Sequence, residues 1–119
     1  MSEGGERVLG AIGTRVVHED DRVRVWTLKL APGETSAVHR HDLDHLLVQV
    51  AGSRIAVIPE PDTEGPFTEP MDAAVIPGAV VFVARGGVET AHNVGDTPYV
   101  EVIVELKDSA PRHSPELPS

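Results

Sequence analysis

Apolar and polar positions alternate along this chain in short runs separated by turn residues, a pattern that predicts strands. Arg22 to Leu30 is a β-rich run closed by Ala31-Pro32-Gly33, and His45 to Val50 is a second, closed by Ala51-Gly52. Ser53 to Ile58 follows at once, so these last two strands are expected to form a tight hairpin. Pro59 to Pro66 reads as a polar loop, Met71 to Ile76 as a strand ended by Pro77-Gly78, and Ala79 to Ala84 as the next. Glu89 to Val94 is short and stops at Gly95-Asp96-Thr97-Pro98. Tyr99 to Leu106 is the clearest strand, with Val100, Val102, Val104 and Leu106 on one face and Tyr99, Glu101, Ile103 and Glu105 on the other. No stretch carries a 3.6-residue apolar period with caps, so the prediction is an all-β sandwich or barrel with little or no helix.

Composition narrows this. The 119 residues suit one domain, and valine, glycine and proline favour strands and turns. Residues 1–7 read as a polar N-terminal arm, 8–107 as the barrel, and 108–119 as a proline-bearing tail with the composition of a disordered segment. The absence of cysteine excludes disulfides and thiolate metal sites. A net charge of −9 argues against nucleic acid as a partner. No apolar run is long enough to span a membrane, and no signal-peptide core follows Met1, so no membrane partner is expected and the cytoplasm is the expected location. No Gly-rich phosphate loop opens a helix, and Ser36 lacks the setting of a hydrolase nucleophile.

The chemistry lies in the histidines. Of six, His39, His41 and His45 fall within seven residues. Residues two apart on a strand share a face, so His39 and His41 can aim into one space, and His45 has the same parity. Imidazole is a good ligand for zinc, iron, copper or nickel. An exposed polar loop would carry the same residues without binding anything. His18 reads as a turn-flanking surface residue, and His113 belongs to the tail. Gln49 shares the parity of His45 and could orient a substrate. Trp26 and Tyr99 could wall a pocket or simply fill the core. Asp42 and Asp44 have the wrong parity for a metal.

The spacing Gly33, five residues, His39-x-His41, three residues, His45, six residues, Gly52 resembles the first motif of the cupin superfamily, G-(X)5-H-X-H-(X)3,4-E-(X)6-G. His45 stands where that family usually has glutamate. The second motif, G-(X)5-P-X-G-(X)2-H-(X)3-N, is matched by Gly78, Gly86 and Asn93, with Ala84 in place of proline and Glu89 in place of histidine. The resemblance covers roughly Val23 to Leu106 and implies a double-stranded β-helix (jelly-roll) barrel holding one divalent metal ion. The two departures look reciprocal, so the implied ligands are His39, His41, His45 and Glu89; the alternative is that both motifs have decayed. His92 is the rival fourth ligand, reachable if a β-bulge after Gly86-Gly87 reverses the parity. The metal could be iron, manganese, nickel, copper or zinc. The resemblance further implies a small-molecule partner and a homodimer. It allows dioxygenase-like chemistry on a small oxygen-rich compound, an isomerase, decarboxylase or lyase, or a non-catalytic binding barrel.

Overall fold

The computed structural model describes residues 7–109. Most of the expected arm and tail, His113 included, lies outside the described residues. The elements are β1 (Arg15–Glu19), β2 (Val23–Leu30), β3 (His39–Arg40), β4 (His45–Ala51), β5 (Arg54–Pro59), β6 (Met71–Ala74), β7 (Val80–Val83), β8 (Val88–Asn93) and β9 (Tyr99–Leu106). A 3₁₀ turn at Lys107–Ser109 follows, and there is no α-helix among the described residues. Two antiparallel sheets form, one ordered β1-β2-β9-β4-β7 and the other β3-β8-β5-β6. This is the double-stranded β-helix. Arg7, at the edge of the expected arm, is tied to the 59–66 loop by Glu60 at 3.1 Å and Asp62 at 2.7 Å.

The expected hairpin does not form. β4 pairs with β7 and β9, whereas β5 pairs with β6 and β8. Ala51-Gly52-Ser53 therefore carries the chain from one sheet to the other. Gly52 permits this: its φ is +132°, and a Cβ there would lie 2.9 Å from Tyr99 Cδ1. Two strands carried no clear sequence signal. β1 is exposed at every position, so burial imposes no alternation on it, and β3 is only two residues long. His18 lies on β1, exposed as expected, with Nε2 2.9 Å from Asp20 Oδ2.

β9 lies between β2 and β4, and its alternation organises the interior. Tyr99, Glu101, Ile103 and Glu105 are buried, while Val100, Val102, Val104 and Leu106 are only half-buried on the other face. Apolar content alone would turn the valine face inward; the structure does the opposite. The core gathers Ile12, Leu28, Leu30, Ile55, Val75, Tyr99 and Ile103, with Trp26, Leu47 and Ala91 packed against it.

Asn93 ties the ends of several strands together. It is fully buried, its Nδ2 donates to Leu30 O at 3.0 Å and Thr97 O at 2.9 Å, and its Oδ1 accepts from Gly95 N at 2.9 Å. Asn93→Ala would leave three backbone groups without these partners, so it is expected to destabilise the fold by about 3 kcal/mol. The check is the urea midpoint at unchanged m-value; a loss below about 1 kcal/mol would show that these bonds contribute little net stability.

Candidate metal centre

The site is assembled from both sheets. His39 on β3 sits directly opposite Glu89 on β8. His41 follows β3 and extends the ladder, its N donating to Gly87 O at 2.8 Å and its O accepting from Gly86 N at 2.8 Å. Gly86 has a φ of +111°, and a Cβ there would lie 2.8 Å from Glu64 O, so the turn that sets up this ladder needs glycine. His45 opens β4 on the other sheet, opposite Val83 and Glu105. All three rings are buried.

The donor atoms of His39, His41 and Glu89 lie within 4.8 Å of one another. Glu89 Oε2 is 3.4 Å from His41 Nε2 and 4.0 Å from His39 Nε2. His45 stands beside this group without joining it: its ring stacks on His41 at 4.0 Å between centroids, with 16° between the planes. Nδ1 of His39 lies 2.9 Å from Ala37 O, and Nδ1 of His45 lies 2.9 Å from Leu43 O. A carbonyl only accepts, so each Nδ1 carries the proton and each Nε2 keeps its lone pair, the tautomer a metal needs. His41 Nδ1 is buried with no hydrogen-bond partner. Two histidines and one carboxylate form a donor set that fits a divalent transition ion, with His41 presenting Nε2 to Glu89.

Electrostatics agree with this. Burial pushes the His39 and His45 imidazoles down, His45 to about 4, with the neighbouring His41 adding to the effect. Both are neutral, and so able to ligate, at neutral pH. Burial alone would raise the Glu89 carboxyl, but the hydrogen bond to His41 and the three imidazoles more than offset it, leaving it below the usual carboxylate range.

A cavity of about 300 Å³ opens onto these groups. His39, His41, His45 and Glu89 line it, and so do Gln49, Tyr99 and Glu101. The remainder is mostly apolar, including Ile12, Leu47, Ile55, Val57, Phe67 and Met71. Gln49 and Tyr99 thus reach the cavity, with Gln49 Nε2 3.5 Å from the Tyr99 hydroxyl and Gln49 Oε1 accepting from Ile76 N at 2.9 Å. Trp26 does not line it: its indole donates to Glu105 Oε1 at 2.8 Å and the ring packs against the core. His92 does not line it either. β8 keeps regular pairing with β5, so no bulge reverses the parity, and Glu89 and Ala91 face the cavity while His92 faces away. Asp42 pairs with Arg40 at 3.0 Å, and Asp44 accepts from Arg85 N at 2.9 Å. Glu101 was not singled out by sequence; the only signal was two glutamates on one face of a valine-rich strand.

Fold and histidine cluster together define a cupin. The chain belongs to the auxin binding protein family, whose pattern matches residues 4–111. Among solved structures it is similar to a cupin domain from Bordetella pertussis Tohama I, with 25% identity over 87% of this chain and 98% of that one and a TM-score of 0.66. An RmlC-like cupin of double-stranded β-helix fold from Methanocaldococcus jannaschii shares 15% identity, covering 89% and 84% of the two chains, with a TM-score of 0.62. A polyketide cyclase from Streptomyces resistomycificus shares 14%, covering 73% and 56%, with a TM-score of 0.53. No curated protein matches the sequence. No helix among the described residues is long and apolar enough to cross a membrane.

The depressed imidazole of His45 carries a stability signature. An unfolded histidine takes up its proton near ~6.5. Folded His45 resists until about 4. Between these values the unfolded state binds the extra proton, so the stability present above ~6.5 is lost as pH falls, completely so below the folded value. Metal-free protein is therefore expected to lose stability over this window by on the order of 2–3 kcal/mol more than its His45→Gln variant. Chemical denaturation across the pH series checks this, and parallel curves for the two proteins would refute it.

Proposed function

We propose that this chain is a metalloenzyme with dioxygenase-like chemistry, taking a small organic compound that chelates a divalent ion through two oxygens and carries an apolar body. The observation behind this reading is the grouping of His39, His41 and Glu89 within 4.8 Å at the wall of a mostly apolar cavity. Two histidines and one carboxylate are the donor set of non-haem iron(II) oxygenases, in which open coordination positions remain for substrate and dioxygen. Once bound, the ion supplies Lewis-acid polarisation of the substrate's oxygens and a centre for oxygen chemistry. The chain's own residues do the rest. Ala37 O and Leu43 O hold the tautomers of His39 and His45, burial keeps those two imidazoles neutral, and the apolar wall excludes water and receives the substrate's body. His45, stacked on His41, is the proposed fourth ligand.

A second reading has its own support. The family is described by the binding of auxin, and an apolar cavity also suits a barrel that holds a small molecule without transforming it.

Protein purified without chelator is expected to carry about one equivalent of a divalent transition metal. His39→Ala, His41→Ala and Glu89→Ala should each lose it, while His92→Ala should keep it. Elemental analysis reads this, and full metal content in the first three would refute the centre. Oxygen-electrode assays of the iron(II)-loaded protein with diketones and hydroxy acids then divide the two readings. Uptake that disappears with His39→Ala supports the enzyme, and bound metal with no uptake favours the binding barrel.

A further inference from the structure

Strand register sorts the cavity wall into three levels. The first holds His45, opposite Val83 and Glu105, with the cluster of His39, His41 and Glu89 beside it. At the second, Leu47 on β4 meets Val81 and Ile103, while Val57 on β5 meets Met71 and Ala91. All six line the cavity, and all six are apolar. At the third, Glu101 on β9 lies between Leu28 on β2 and Gln49 on β4, and these three line the cavity too. His45 and Gln49 are four residues apart on β4, so roughly 13 Å of strand separates the first level from the third. The cavity thus has a polar group on either side of an apolar belt.

The group remote from the histidines has one uncommitted bonding position. Glu101 is 8% exposed and pairs with no cation among the described residues. Its Oε1 accepts from the Tyr99 hydroxyl, which engages the only hydrogen that hydroxyl has. Gln49 Nε2 lies 3.5 Å from the Tyr99 oxygen, and Gln49 Oε1 accepts from Ile76 N at 2.9 Å. Glu101 Oε2 accepts from no protein group among the described residues. Glu105, on the same face of β9, shows the contrast: it accepts from Arg24 Nε at 2.7 Å and from Trp26 Nε1 at 2.8 Å. A buried carboxyl is normally paired or fully hydrogen-bonded. Glu105 meets that requirement within the protein, whereas the donor that Glu101 lacks has to come from the cavity.

We infer that Glu101, braced by Tyr99 and Gln49, is a second recognition point for the ligand: the compound this cavity takes carries a hydrogen-bond donor, a hydroxyl or an amino group, at the end remote from its metal-binding oxygens. The inference rests on the metal reading above, which fixes the other end. With about 2 Å allowed for a metal–oxygen bond and about 3 Å for a hydrogen bond, the two ends of the ligand lie roughly 8 Å apart. The segment between them is apolar, to match Leu47, Val57, Ala91 and Ile103. A compound that is apolar at the far end leaves Oε2 without a donor, so the site discriminates against it. Burial holds the Glu101 carboxyl up at about 7, with Glu89 adding to the effect, while the Tyr99 hydrogen bond and His41 pull it down. The ionised form is therefore present at neutral pH, and a ligand donor at Oε2 favours it.

Two matched probes test this. Phenylpyruvate and 4-hydroxyphenylpyruvate share a two-oxygen chelating end and an aromatic body, and differ only in the hydroxyl at the far end. In calorimetric titration of zinc-loaded protein, where no oxygen chemistry competes, the hydroxylated probe is expected to bind at least about 10-fold more tightly. Glu101→Leu should bring this ratio to about one. Glu101→Gln, close in shape and still able to accept but uncharged, should leave a ratio of about three, and it carries the test if the leucine variant does not fold. A wild-type ratio near one, or a ratio that neither substitution changes, would overturn the inference and leave water as the partner of Oε2. Zinc-loaded protein that binds neither probe would overturn it as well. Protein that takes up no zinc would overturn the metal reading and this inference with it, and elemental analysis shows that before any probe is added.

Discussion

Ionisable side chains buried between two apolar sheets are the constraint on which this structure turns. A buried charge without a partner is costly, so each such group must be neutralised, paired or hydrogen-bonded. The chain does this by strand register. His39 is set opposite Glu89 across β3 and β8, and Glu105 meets Arg24 across β9 and β2. Asn93 spends its amide on backbone ends that would otherwise be orphaned. His41 Nδ1 is the group left over, on a ring whose Nε2 faces Glu89.

Much of this was legible because period-two parity carries side-chain direction without reference to packing. His39 and His41 could be placed on one face from spacing alone. Parity likewise separated Glu89 from His92, and regular β8 pairing keeps that separation. The four glycines of the two cupin-like motifs, Gly33, Gly52, Gly78 and Gly86, all adopt positive φ. The motif spacing therefore recorded the sheet corners and turns that frame the site.

What could not be read depended on long-range pairing. Ala51-Gly52-Ser53 looks like a hairpin turn, and only the partners of β4 and β5 reveal it as a crossing between sheets. Trp26 could wall a pocket or fill the core, and the hydrogen bond to Glu105, a residue distant in sequence, decides this. Parity brought His45 into the cavity but could not supply its stacking on His41. Glu101 was hidden by the apolar character of its strand. β9 reads as a valine strand, and the eye assigns the interior to its valines.

That inversion has a functional logic. A barrel optimised for stability alone would bury Val100, Val102 and Val104 and leave the glutamates in water. Here the half-buried valines lie outside and the other face turns inward, which forgoes hydrophobic stabilisation and brings Tyr99 and Glu101 to the cavity wall while Glu105 is taken up by Arg24 and Trp26. The two polar groups of that cavity also differ in support. Glu101 sits on β9, paired on both sides along its length, so its position is fixed by the sheet. His39 and His41 hang on a two-residue strand and the loop after it, braced mainly by the ladder to β8 and the 86–87 turn. A bound ion would draw those histidines and Glu89 together, whereas nothing need move at Glu101.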